Sequence, residues 1–283
     1  MDAYAYCNGE FLPLAEARLH VTDLAFLRGY GIFDFFRVVN GHPVFFEDHL
    51  DRFEGAAGAM GLLMPLSREA LRHLIAELIR LNPQELLGLK LILTGGYSAD
   101  GFTPAERPNF LALANPFTFP DPASGLTLLS YEYRREIPAV KTLSYLSPIQ
   151  MLPQLRRQAA DDLLYHSNGL ISESSRSNVF IVKNQTVSTP RTGMLPGITR
   201  KYVLSVCQGV FAVEERAIPL SDVFEADEVF ITSSNQRIMP IRQIDHYALP
   251  QRGPVTRKLQ ELLQARELLD LRRNSDRGRC GST

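Results

Sequence analysis

The chain contains no tryptophan, three cysteines and five lysines among 283 residues. Cys7, Cys207 and Cys280 are too few and too scattered for a disulfide framework or a zinc site, so reduced thiols and no metal centre are expected. No run approaches the roughly 20 apolar residues that span a bilayer, and MDAYAYCNGE carries neither a basic nor an apolar leader region. A cytoplasmic protein without a membrane partner is the expectation. Neither sign of charge dominates, and a formal net charge of -1 gives no electrostatic case for nucleic acid, while a small anionic ligand remains open. HExxH, a Walker loop and a nucleophile elbow are all absent, and RGYG lacks the third glycine of a dinucleotide fingerprint. Asp48 and His49 are adjacent on one predicted helix and lack metal-ligand spacing. These absences favour an organic cofactor.

With 45% hydrophobic and 22% charged residues, the chain reads as one large or two ordinary globular domains. Asn8-Gly9, Asn40-Gly41 and Asn168-Gly169 each separate strand-like runs and predict hairpins. Helices are expected over 47–60 and, with Ser67 as cap, over 67–81, where Leu71, Leu74, Ile75, Leu78 and Ile79 recur at helical spacing. Prolines and turn formers concentrate in 115–125 and place the interdomain linker at 119–125, between domains 1–118 and 126–272. In the second half a helix over 148–162, kinked at Pro153, precedes four strands, a helix opening at Pro196-Gly197, two more strands and a terminal helix. The arginine-rich stretch 273–283 has no apolar periodicity and reads as a disordered tail.

Scarcity makes the lysines informative, because an amine nucleophile for carbonyl chemistry has to be lysine; arginine stays protonated. Lys183 neighbours a hairpin turn, Lys201 sits in a first helical turn and Lys258 on a polar helix face. Lys90, in the strand GLKLILT, remains a candidate. Lys141 follows the apolar stretch 137–140, a setting that desolvates an ammonium, unless it merely snorkels at a strand end. The helix start at Ile198 and Thr199 offers free amides for a phosphate, or is simply capped. Thr232 and Ser233, after the strand EVFI, offer hydroxyls of the same kind. Arg52 could add a bidentate cation, or be a solvated helix arginine. Glu173, ending the strand GLISE, either pairs with a protonated heterocyclic nitrogen or sits at a solvated edge.

In their order along the chain, RGYGIFDFFRVVNGHPVFFEDHLDRF, KTLSYL, ISESSRSNVFIV, LPGITR and EVFITSS resemble the class IV, or fold-type IV, pyridoxal-phosphate enzymes. That family includes branched-chain and D-amino acid aminotransferases and aminodeoxychorismate lyases. The resemblance implies an α+β fold with a small N-terminal α/β domain, a larger C-terminal α/β pseudobarrel domain and a homodimer. It implies pyridoxal 5'-phosphate as cofactor, Lys141 as the Schiff-base lysine and Glu173 as the partner of the pyridine nitrogen. Arg52, Ile198, Thr199 and Thr232 or Ser233 become phosphate contacts, and Tyr145 matches a tyrosine that some members direct at the cofactor's phenolic oxygen. The chain departs from the branched-chain pattern by placing Arg28, Lys90 and Arg176 at positions bordering the substrate side. It is similar there to some D-amino acid aminotransferases with RGYG and ESxRSN sequences. The expectation is an aminotransferase acting on amino acids and 2-oxo acids, leaning to D-amino acids. A branched-chain L-amino acid enzyme, a lyase releasing pyruvate and a noncatalytic cofactor-binding protein are the alternatives.

Overall fold

The computed structural model describes residues 3–249 and 253–280, the side chains of 273–280 excepted. It divides into two compact units: Met1–Thr118 with Val140–Ser144 and Asp270–Thr283, and Phe119–Ala139 with Tyr145–Leu269.

The first unit contains β1 (Tyr4–Cys7), β2 (Glu10–Pro13), α1 (Leu24–Arg28), β3 (Gly31–Val39), β4 (His42–Pro43), α2 (Phe46–Ala59), α3 (Arg68–Leu81), β5 (Leu86–Thr94) and β6 (Phe110–Pro116). The strands form an antiparallel sheet in the order β2-β1-β6-β5-β3-β4. Asn8-Gly9 and Asn40-Gly41 adopt positive φ at both positions, the twist that two-residue hairpins demand, so these turns form as expected. Ser67 caps α3 by accepting from the Ala70 amide. Leu71, Leu74, Ile75 and Leu78 then bury against Phe36, Leu89 and Leu91. Side chains alternate across a strand, so Ile32, Asp34, Phe36 and Val38 take the helix-facing side of β3 while Phe33 and Phe35 take the other. Residues 141–143 return to this sheet: Phe33 N–H donates to the Lys141 carbonyl at 2.9 Å and Leu143 N–H to the Gly31 carbonyl at 2.9 Å. Gly31 is required there, since a Cβ would lie 2.7 Å from the Leu143 side chain and 2.8 Å from the Leu93 carbonyl.

The second unit contains β7 (Leu126–Glu132), α4 (Leu146–Gln150), α5 (Leu152–Arg157), β8 (Asp162–Ser167), β9 (Leu170–Ser174), β10 (Asn178–Lys183), β11 (Thr186–Pro190), α6 (Ile198–Cys207), β12 (Ala212–Arg216), α7 (Leu220–Phe224), β13 (Glu228–Ser233), β14 (Arg237–Ile244), β15 (Tyr247–Ala248) and α8 (Pro254–Cys280) as far as Leu269. Strands β10-β13-β14-β7-β8-β9 pair in sequence, and β9 pairs back to β10, closing a six-stranded barrel. Val179, Ile181, Val229, Ile231, Met239 and Ile241 belong to one apolar cluster with Leu128 and Leu164. The alternate residues Phe180, Val182 and Phe230 pack instead with Val203 and Cys207 of α6 and Leu259 and Leu263 of α8.

Three expectations change. The helix predicted over 148–162 is two short helices, α4 and α5, which meet at Met151 just before Pro153; it stops at Arg157, and Asp162 opens a strand. Its composition suits a helix, but Ala159 turns into positive φ and ends it. The run 237–244, for which no strand is expected, forms β14 and pairs on both sides although Pro240 lies within it. Helical backbone also runs through 273–280, past the start of the expected tail, while 281–283 lie outside the described residues. No helix among the described residues is long and apolar enough to cross a membrane, and none of their His, Cys, Asp and Glu cluster as a metal site.

Candidate active site

Four of the residues singled out by sequence belong to the first unit. Lys141 lies beside Phe33 with Nζ 4.6 Å from the ring centroid, and Lys90 Nζ lies 5.5 Å from the same ring. The register explains the meeting: Lys90 is opposite Phe35 on β5, and Ile32 bridges to Thr142, so Lys141, Phe33 and Lys90 share the sheet face turned away from α2 and α3. Arg52 stands apart from them, on α2, where Nε and Nη2 donate to the two oxygens of Asp34 at 2.8 Å each. His49 Nδ1 meets the same carboxylate at 2.7 Å. Burial acts to raise the Asp34 pKa, but Arg52 and His49 outweigh it and hold the carboxyl well below the usual range. Burial lowers the pKa of His49, leaving a neutral imidazole to donate to Asp34. Arg28 ends α1, is exposed, and donates to the Leu27 carbonyl.

The remaining candidates belong to the second unit, and several converge there. Glu173 is buried; Oε1 accepts from Arg135 Nε at 2.8 Å and Oε2 from the Leu195 amide at 3.0 Å. Asn178, opposite Glu173 across β9 and β10, donates to the Leu195 carbonyl at 2.7 Å. The Leu195 peptide is thus gripped from both sides, which fixes the loop that starts α6. Gly197 must be glycine, because a Cβ would lie 2.1 Å from Asn178 Oδ1. α6 then begins with no side-chain cap and no acid in its first turn, and Ile198 and Thr199 are buried there. Thr232 pairs with Asn178 across β10 and β13, on the sheet face that α6 covers, and its buried hydroxyl has no hydrogen-bond partner among the described residues. Ser233 differs: its hydroxyl donates to Asn235 within the turn.

Tyr145 is half-buried, and burial raises its pKa against the opposing pull of Arg135; Glu173, Arg176 and Asp162 also act on it. Arg176 is exposed at the tip of the β9–β10 turn. Asp162 is buried beneath that turn, accepting from the hydroxyls of Ser175 and Ser174. Burial raises its pKa, and the two serines and Arg176 only partly offset that. Asp34, Arg135, Asp162 and Asn178 were not singled out from sequence. Asn178 had a usable signal, its fixed place in the ESSRSN motif; Asp162 was hidden by the mistaken helix, and Arg135 sits in a polar stretch beside an exposed arginine, Arg134.

A model of the amino-transferase class IV family matches residues 31–244. A putative branched-chain-amino-acid aminotransferase of Methanocaldococcus jannaschii is 30% identical over 270 residues, covering 90% of this chain and 93% of that protein. A D-alanine aminotransferase of Bacillus licheniformis is 27% identical, covering 91% and 94%. Among solved structures, the branched-chain aminotransferase of Thermoproteus uzoniensis with norvaline superposes with a TM-score of 0.87 at 25% identity, covering 93% and 94%. The fold-type IV architecture expected from the motifs is therefore the observed one, and the chain belongs to the class IV aminotransferases, a pyridoxal-phosphate-dependent family.

Proposed function

We propose that this aminotransferase binds pyridoxal 5'-phosphate through the residues named above and moves amino groups between D-amino acids and 2-oxo acids. The observation that carries the cofactor assignment is the unpartnered buried hydroxyl of Thr232 in the row that leads, through Asn178, to the uncapped start of α6. Free amides, a helix dipole without a neighbouring acid and an unused hydroxyl fit a phosphate. Ile198 and Thr199 would supply the amides and Arg52 the cation, its Nε and Nη2 held by Asp34 and its Nη1 without a partner among the described residues. Ser233 would contribute through its backbone.

When bound, the cofactor supplies an electron sink for the pair left as the substrate α-carbon loses its proton. Lys141 Nζ would carry the cofactor and move that proton as general base and then acid. Glu173, paired with Arg135, would keep the proton on the ring nitrogen. Tyr145 would donate to the cofactor's phenolic oxygen, its raised pKa keeping the hydroxyl protonated. Arg28, Lys90 and Arg176 would bind the substrate carboxylate. Arg28, where branched-chain enzymes commonly have a tyrosine, and Arg176, the arginine of the ESSRSN run, support the D-amino acid reading. A homodimer in the cytoplasm completes the proposal, with Leu146, Ile149 and Leu152 of α4 and α5 exposed as apolar contact surface.

Half-reactions followed by absorbance with D-alanine, D-glutamate, L-leucine and an amine lacking the carboxylate test the substrate class. Faster conversion of the D-amino acids is expected, and Arg176→Gln or Arg28→Gln should weaken carboxylate-bearing substrates alone by about 10- to 100-fold. Fast turnover of L-leucine only would replace this reading with the branched-chain one. Release of pyruvate from aminodeoxychorismate without an amino acceptor would replace it with the lyase.

A further inference from the structure

Arg135 lies in the irregular chain that follows β7, between the exposed residues Arg134 and Glu136, and turns inward where they do not. Its Nε donates to Glu173 Oε1, and its Nη2 donates to the carbonyl of Pro138, three residues before Lys141. The guanidinium also lies close enough to Tyr145 to act on its hydroxyl. One side chain thus touches the carboxylate assigned to the ring nitrogen and the backbone that leads to the assigned nucleophile.

A glutamate's last torsion is broad and two-fold, so a buried carboxylate without fixed donors has no single plane. Here the donors come from opposite sides, Arg135 on one oxygen and the Leu195 amide on the other, and the plane is set. The planar fork of arginine can bond the carboxylate and the Pro138 carbonyl in one rigid geometry; a lysine supplies the charge without the fork. We propose that Arg135 is a positioning residue for transamination, orienting Glu173 against the cofactor ring and tying that orientation to the segment preceding Lys141. This rests on the roles proposed above for Glu173 and Lys141.

The test compares Arg135→Met, Arg135→Lys, Glu173→Gln, the Arg135→Met/Glu173→Gln double variant and the control Arg134→Met in the cofactor-loaded enzyme. Loss of a hydrogen bond to a charged group predicts a half-reaction about 10- to 100-fold slower in Arg135→Met, with the apparent constant for D-alanine within about threefold of the parent. Arg135→Lys, which restores the charge but not the fork, should recover only part of the loss. In the Glu173→Gln background, Arg135→Met should cost much less than it does in the parent, because its route through the Glu173 carboxylate has gone. In the cofactor-free chain the Leu195 amide should exchange with deuterium about tenfold faster in Arg135→Met and stay at the parent rate in Arg134→Met. Leaving Glu173 buried without its cation can prevent folding; Arg135→Lys and the double variant, which removes both charges, then decide. A parent-like rate in Arg135→Met, or losses that multiply in the double variant, would overturn the positioning role while leaving the transaminase reading intact. A parent chain inert to every amino acid would overturn both.

Discussion

Asp34 in the first unit and Asp162 in the second are buried to similar degrees, 1% and 4% exposed, yet their surroundings drive them in opposite directions. Asp34 receives a bidentate guanidinium and a neutral imidazole, which outweigh the burial that acts against its charge. Asp162 receives two serine hydroxyls and the more distant field of Arg176, and burial prevails. A buried carboxylate is therefore governed less by how deeply it lies than by whether a full cation reaches it within hydrogen-bonding distance. The same contrast runs through the two units taken separately: in the first, Lys141 lies on an aromatic ring and Arg52 on an anion, while the second carries the uncapped start of α6 and the unpartnered Thr232 hydroxyl among the described residues.

The largest effect expected is at Lys141. Lys141→Ala should lower the transamination rate by about 10⁴-fold or more, since nucleophile and proton carrier are lost together, while Lys90→Ala on the same phenylalanine should retain turnover. Borohydride reduction and peptide mapping should place the cofactor on Lys141; an adduct on Lys90 would exchange their roles.

Asp34→Asn comes next. Breaking a buried ion pair by removing one partner costs about 3 to 5 kcal/mol, measurable by denaturant unfolding at neutral pH. Because Asp34 titrates below its ordinary value, its stabilisation is present above about pH 4 and is lost as the pH falls further. The deficit of the variant should therefore shrink in acid. A deficit independent of pH would mean that packing, not charge, is what Asp34 provides.

Thr232→Val should separate binding from folding. The hydroxyl has no partner in the described protein, so its removal should leave the cofactor-free chain within about 1 kcal/mol of the parent or above it. Affinity for pyridoxal phosphate should fall about 10- to 100-fold, read by fluorescence titration. Equal affinity would remove Thr232 from the phosphate contacts.

Asp162→Asn should have the smallest effect, under about 1 kcal/mol at neutral pH, because a neutral amide can still accept from Ser175. The raised carboxyl contributes fully to the fold below about pH 4 and loses that contribution as the pH rises through its folded value, so the variant should gain relative stability towards neutral pH. A loss of several kcal/mol there would place Asp162 in the same class as Asp34.

Local chemistry was legible wherever it depended on neighbours in the chain. The Asn-Gly turns, the capped helix from Ser67 and the strands around Glu173 and Thr232 follow from side-chain spacing and turn preference, and they form as read. The ordered motifs likewise identified the family, because each motif keeps its chemistry within a few residues. Pairing over long separations was not legible. Arg135 and Glu173 are 38 residues apart and Asn178 and Leu195 are 17 apart, and nothing in either local run names its partner. The role of Arg52 shows the same limit: the sequence supplied a helix arginine, but only the packing of α2 on β3 brought it to Asp34, 18 residues away. Sequence determined which groups could carry charge, donate or accept. Tertiary structure decided which of them meet, because a buried ion's state is set by the atoms around it in space and those come from distant parts of the chain.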